Sequence, residues 1–336
     1  ATELRASNIS IIDKAEPPRK PSRPKKGMNL LLSVLVGLMG GVGLAFFLEH
    51  LDKTINTLKT PQEVQRYLRV PNLGLVPDFL SLRHAPQKDG LGVLSQRFAP
   101  DSNLPAPGKE LVVSHHPLSV VTEAYRRLRT AIMLSRAGEP PKTILFTSGR
   151  HREGKTATVV NTAIIFAQMG VKVLVMDADL RRPSCHRVLG IGNRLGLTDV
   201  LTGQRDMEHV IKPTAMNNLF LLSGGLTPPN PTELVGSKKM HETLTSLQEH
   251  YDYILIDSPP VMPVSDAVLL STMVDGMVLV VNGQVTPKHV VKVALSHLAS
   301  GQGKILGVLL NRVDMRSEDY TDYFYSYYPT GADQAK

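Results

Sequence analysis

Twenty-one consecutive residues from Met28 to Leu48, MNLLLSVLVGLMGGVGLAFFL, carry no charged side chain. As a helix rising about 1.5 Å per residue, the run spans roughly 30 Å, the thickness of a bilayer's hydrocarbon core. A buried helix of a soluble protein keeps a polar stripe, and this run has none. A secretory signal has a shorter apolar run and does not stand behind 27 polar residues. The segment is therefore read as a transmembrane helix, which excludes any fold that leaves residues 28–48 in water. Gly37 and Gly41 form a GxxxG pair that permits close helix approach, although glycine is common in spans for other reasons as well.

The charge is distributed unevenly around this span. Residues 1–27, a Pro-rich segment, hold seven basic and three acidic side chains, whereas the last twenty residues hold one and four. The whole chain of 336 residues has 38 Lys and Arg against 30 Asp and Glu, a net charge of +8 that suggests a polyanionic partner such as phosphate or an acidic membrane surface. Trp is absent and aromatics make up 5%, which speaks against base stacking, and no nucleic-acid partner is expected. A single cysteine, Cys185, excludes a disulfide scaffold and a cysteine zinc cage. Arg19, Lys20, Arg23, Lys25 and Lys26 precede the span, and the positive-inside rule would place that side in the cytoplasm. The nucleotide motifs downstream require the opposite. We follow the motifs, because the chain begins with Ala rather than Met and reads as the C-terminal part of a longer polypeptide, where an earlier span can set the topology.

Residues 49–116 read as a juxtamembrane region and flexible linker. A helix start at Thr60-Pro61 leads to a short extended piece, LGLVP, and residues 81–110 carry four prolines. From 117 to 316 the pattern alternates. Apolar runs such as KTILFTS, KVLVMD, DYILIDS, GMVLVVN and KILGVLLNRV are separated by helical segments, among them TEAYRRLRTAIMLS and PTELVGSKKMHETLTSLQEHY, each read as one helix. Strands this apolar, alternating with amphipathic helices, predict an α/β domain with a mostly parallel sheet covered on both faces. Residues 317–336 show neither period and read as a flexible tail.

Gly149-Arg150-His151-Arg152-Glu153-Gly154-Lys155-Thr156 fits G-x-x-x-x-G-K-[ST] between a predicted strand and a predicted helix that continues with Ala157. In that context backbone N–H groups and the helix N-terminus cradle phosphate oxygens, Lys155 reaches the β- and γ-phosphates, and Thr156 offers a hydroxyl to Mg²⁺. Asp177, Asp179 and Asp257 stand at the ends of apolar strands, the edge at which ligands bind in open α/β sheets. A nucleotide, ATP, with Mg²⁺ follows as the expected ligand.

The P-loop, then Asp177-Ala178-Asp179-Leu180-Arg181, then Asp257-Ser258-Pro259-Pro260, in this order, resemble the partition-ATPase branch of P-loop proteins, and within it the bacterial tyrosine kinases fused to a polysaccharide co-polymerase. Glu123, Arg126 and Arg129 match the family's ExxRxxR pattern, which the resemblance assigns to contacts in a homo-oligomeric ring. Five of the nine tyrosines, Tyr320, Tyr323, Tyr325, Tyr327 and Tyr328, lie in the tail and are the implied phosphoacceptors, presented to a neighbouring subunit. The resemblance further implies that Thr156 and Asp179 organise Mg²⁺, Asp257 holds a metal-bound water, Asp177 accepts the tyrosine hydroxyl proton, and Asn311-Arg312, after the last strand, contact adenine. It also implies the bacterial inner membrane with the kinase domain in the cytoplasm, with membrane lipids, a polysaccharide polymerase and export machinery, and a cognate tyrosine phosphatase as partners. One departure stands out. The family usually has Pro-Gly where His151-Arg152 stand, which leaves the backbone donors in place and adds charge. A nucleotide-binding scaffold without transfer and a partition-type ATPase are the competing readings.

Overall fold

A computed structural model describes residues 25–55, 57–58, 60–78 and 111–314. The chain divides into two compact units, Ala1–Ile55 and Asn56–Lys336. In the first, α1 (Lys26–Ile55) is a continuous helix of 30 residues. Its apolar side chains are exposed: Leu30 and Phe46 are each 70% accessible. The stretch Lys26–Leu48 is long and apolar enough to cross a bilayer. Ser33 donates its hydroxyl to Asn29 O at 2.7 Å, so this polar group is satisfied within the helix.

The second unit contains, in chain order, α2 (Pro61–Leu68), β1 (Asn72–Pro77), α3 (Val112–His115), α4 (Val120–Met133), β2 (Thr143–Ser148), α5 (Lys155–Ala167), β3 (Val173–Asp177), α6 (Cys185–Val188), α7 (Leu197–Leu201), α8 (Met207–Val210), β4 (Lys212–Pro213), β5 (Leu219–Leu222), α9 (Pro231–Val235), α10 (Lys238–His250), β6 (Tyr253–Asp257), α11 (Asp266–Ser271), β7 (Gly276–Asn282), α12 (Lys288–Ser300) and β8 (Ile305–Val313). The strands form one sheet in the order β1-β8-β7-β2-β6-β3-β5-β4, parallel throughout except for β4 against β5. Every residue of β2, β3, β6 and β7 is buried, so the sheet is covered on both faces. Leu145, Leu174 and Ile254 point into a layer closed by α10, α11 and α12. Their neighbours Ile144, Val175 and Leu255 point into the opposite layer, closed by α4 and α5.

Four expectations are corrected here. The segment from Pro231 to Tyr251 is two helices, because Ser237 adopts extended backbone (φ −75°, ψ 156°) and its hydroxyl accepts from Met240 N, capping a new helix. The α/β domain starts before 117, since β1 pairs in parallel with β8 (Leu75 opposite Leu310) and closes one edge of the sheet. Asn311 and Arg312 lie within β8 rather than after it. The helix after the P-loop, where the apolar pattern KTATVVNTAIIFAQMG reads as helical up to Gly170, ends at Ala167. By contrast Thr60 starts α2 as anticipated, its hydroxyl accepting from Glu63 N at 3.3 Å with Pro61 in the first turn. The linker at 81–110 and the tyrosine tail lie outside the described residues.

Register then builds the site. Asp177 and Asp257 end neighbouring strands and pair directly across β3 and β6, and Phe146 of β2 stands opposite Asp257 on the other side. The loop following β2 therefore opens over two adjacent carboxylates at the C-terminal edge.

Candidate functional site

The loop between β2 and α5 is held by its own side chains. Glu153 is 3% exposed and turns inward, accepting from Arg150 N at 2.8 Å and from the Thr286 hydroxyl, and burial pushes its pKa up. Asn311 donates Nδ2–H to Glu153 O at 2.9 Å, and Ser148 donates its hydroxyl to Arg150 O at 2.9 Å. Gly154 takes φ +87°, and a Cβ there would fall 2.1 Å from Asn311 Nδ2. Glycine is thus required twice at this position, by conformation and by the approach of Asn311. Arg152 takes φ +65°, the left-handed region in which glycine is at ease, at the position where the resembled family carries it.

Beneath the loop, Lys155 forms an ion pair with Asp257 Oδ1, and the Thr156 hydroxyl donates to Asp257 Oδ2 at 2.7 Å. Burial alone would lower the Lys155 pKa, but Asp257 and Asp179 outweigh it and the pKa is raised. Asp177 Oδ2 accepts from Ser184 N at 2.8 Å and Cys185 N at 2.9 Å, whereas Asp177 Oδ1 is buried with no hydrogen-bond partner. Burial, then the neighbouring Asp257, push its pKa up to about 7. Asp179 accepts from Arg182 N at 3.1 Å. A cleft of about 560 Å³ lies above, lined by His151, Arg152, Lys155, Thr156, Ala157, Asp179, Ser184, Arg187 and Arg312 among others. That volume suits a nucleotide.

The structure brings together Gly149 to Ala157, Asp177, Asp179, Asp257, Asn311 and Arg312. It gives some of them different surroundings from those anticipated. Asn311 is 6% exposed and braces the loop from inside, and Glu153 faces inward with it. Asp177 is fully buried and lies under the turn at Ser184-Cys185 rather than along the cleft wall. Glu123, Arg126 and Arg129 lie on α4, away from the nucleotide cleft. Glu123 and Arg126 pair at 3.3 Å, and Arg129 donates to Ile165 O at 3.2 Å, near the C-terminus of α5. Sequence reasoning missed Ser184, whose hydroxyl is 2.9 Å from Thr156 Oγ1, and the buried Cys185 thiol, 3.5 Å from Asp257 Oδ2. It also missed Arg182 and Arg187. No motif marks these residues, because the turn after β3 alone brings them to the loop.

The donor set fits Mg²⁺: the Thr156 hydroxyl beside the Asp257 carboxylate, and a second carboxylate, Asp179, on the cleft wall. These are hard oxygen ligands. Fold, loop and paired carboxylates together define a P-loop nucleotide-binding protein. Comparison sharpens this. Residues 142–292 match the AAA domain family, and residues 1–50 match a family described as a G-rich domain. Tyrosine-protein kinase YwqD of Bacillus subtilis (strain 168) is 36% identical over 224 residues, which cover 66% of this chain and 92% of YwqD. Tyrosine-protein kinase etk of Escherichia coli (strain K12) is 28% identical over 318 residues, 94% of this chain and 42% of etk. The solved kinase domain of the Escherichia coli tyrosine kinase ETK superimposes with a TM-score of 0.66 at 26% identity, covering 78% of this chain and 97% of that domain. The chain belongs to the bacterial tyrosine-protein kinases. It spans less than half the length of longer relatives such as etk.

Proposed function

We propose that this kinase uses Mg²⁺ and ATP to phosphorylate the tail tyrosines Tyr320, Tyr323, Tyr325, Tyr327 and Tyr328 of a neighbouring copy, and thereby regulates the making or export of a surface polysaccharide. The observation that carries the reading is the pairing of Asp177 with Asp257 directly under the P-loop, with Lys155 resting on Asp257. Phosphate draws Lys155 from Asp257 to the β- and γ-oxygens, and the loop N–H groups and the start of α5 hold the rest. Thr156, Asp179 and Asp257 would hold Mg²⁺, which would supply charge neutralisation at the phosphates. A tyrosine oxygen attacks the γ-phosphorus, the bond to the β,γ-bridging oxygen breaks, and ADP leaves. The phenolic proton passes to a carboxylate, since a hydroxyl with a pKa near 10 needs a base as it attacks. We assign this to Asp177, whose Oδ1 has no protein partner, reached when the Ser184-Cys185 turn that covers it shifts aside for the acceptor.

The remaining assignments belong to the same proposal. Residues 28–48 anchor the protein in the bacterial inner membrane, with 117–316 and the β1 edge strand as the cytoplasmic kinase domain and 317–336 as its substrate. Glu123, Arg126 and Arg129 face a neighbouring subunit in a ring, while Arg312 lies beside the adenine. Several phosphates on the tail, each adding about −1.5 to −2 charges, repel one another and loosen the ring until a phosphatase removes them.

Intact-mass spectrometry of the full chain incubated with Mg-ATP tests the chemistry. The expected result is a ladder of phosphate adducts mapping to the tail and absent in Lys155→Met. An unmodified wild-type tail with ATP bound would instead assign the chain as a nucleotide-binding scaffold.

A further inference from the structure

The cleft carries more cations than a nucleotide explains, and the sheet order sorts them. Arg312 lies on β8, two strands from β2 on one side, and the turn after β3 lies two strands from β2 on the other. At about 4.8 Å per strand, each is roughly 10 Å from the P-loop strand in opposite directions. On the β3 side three arginines follow Asp179 within eight residues, and they divide cleanly. Arg181 donates to Asp266 Oδ2 at 3.0 Å and to the Thr232 hydroxyl at 2.6 Å, with Asp266 fully buried, so it is committed to tying the turn to α9 and α11. Arg182 and Arg187 are exposed and line the cleft. Arg187 makes only a long contact to Pro183 O at 3.4 Å, and among the described residues neither side chain pairs with a carboxylate.

These two guanidinium groups line the cleft beside Asp179, on the side away from Arg312, where an acceptor approaching the reacting phosphate would pass them. The proposed acceptor segment is SEDYTDYF, in which Glu318, Asp319 and Asp322 flank Tyr320 and Tyr323, and residues 317–336 hold four acidic side chains against one basic. Guanidinium forks match carboxylates in shape and charge. We propose that Arg182 and Arg187 are specificity-determining residues that read the carboxylates next to the acceptor tyrosines. This rests on the reading that the tail is the acceptor.

The test uses the full chain in detergent with all five tail tyrosines changed to Phe, Mg-ATP, and two synthetic acceptors: SEDYTDYF and its amide counterpart SQNYTNYF. The acidic peptide should show a KM about tenfold lower, the size expected of two solvent-exposed ion pairs. Arg182→Gln with Arg187→Gln should erase that preference, with both peptides compared at saturating Mg-ATP so that any change in ATP affinity does not enter the ratio. Arg182→Glu with Arg187→Glu should turn the preference toward a lysine-flanked peptide, SKKYTKYF, a gain that misfolding cannot produce. Equal KM values for the acidic and amide peptides with the unsubstituted arginines, or a preference that survives both double variants, overturns the proposal and leaves the acceptor reading intact. Transfer to no peptide, with ATP still bound, overturns the acceptor reading and this proposal with it.

Discussion

Gly154→Ala isolates the closest approach in the site. The new Cβ would lie 2.1 Å from Asn311 Nδ2 and 3.4 Å from its Cγ, at a residue whose φ is +87°. Placing alanine in the left-handed region costs about 1–2 kcal/mol. The contact also expels the Asn311 amide, 6% exposed, and breaks its 2.9 Å bond to Glu153 O, leaving buried polar groups unpaired for about 1–3 kcal/mol. The sum, about 2–5 kcal/mol, lowers Tm by about 10 °C in a unit of this size. Because the chain has no Trp, thermal unfolding is followed by far-UV circular dichroism. A double-mutant cycle divides the two causes. In an Asn311→Ala background the clash is gone, and Gly154→Ala should cost only the backbone share, about 1–2 kcal/mol. A coupling energy below about 0.5 kcal/mol would refute the claim that Asn311 braces the loop against Gly154.

Two further outcomes follow from the same geometry. Burial raises the Asp275 pKa, but hydrogen bonds from Thr143 N, the Thr143 hydroxyl, Lys142 N and Arg136 outweigh it, so the folded-state value lies below the ordinary one. Its stabilisation is therefore present above a pH of about 4 and lost as pH falls through the lowered value. Asp275→Asn should lose about 1.5–3 kcal/mol in urea unfolding at pH 7. That loss should vanish toward the acid end, and a loss that persists undiminished there would contradict it. Arg152 sits at φ +65°, so Arg152→Gly should be more stable than Arg152→Ala by about 1–2 kcal/mol, since both remove the charge and only glycine fits the backbone. Equal melting of the two variants would show that the loop relaxes instead.

The reach of local sequence is visible residue by residue. The uncharged run at 28–48 dictates its helix because an apolar segment of that length must satisfy its backbone internally. Thr60-Pro61 dictates the start of α2, because a hydroxyl before proline caps a helix there. The glycine, lysine and threonine of the P-loop were legible because phosphate binding needs them at fixed spacing in consecutive residues. The break at Gly236-Ser237 was hidden, since a capping serine competes with a continuing helical period and only packing shows which wins. Joining β1 to β8 was equally hidden, as strand pairing between Leu75 and Leu310 leaves no mark in either segment.

Sequence alone determined the span, the α/β alternation, and the phosphate loop with three aspartates at strand ends, because each depends on neighbours along the chain. Only the tertiary structure decided what those groups face. It set Asp177 against Asp257, gave Lys155 to Asp257, turned Asn311 inward to Glu153, and separated Arg181 from Arg182 and Arg187. Register and burial, which fix a side chain's electrostatic partners, are properties of strands brought together from distant parts of the chain.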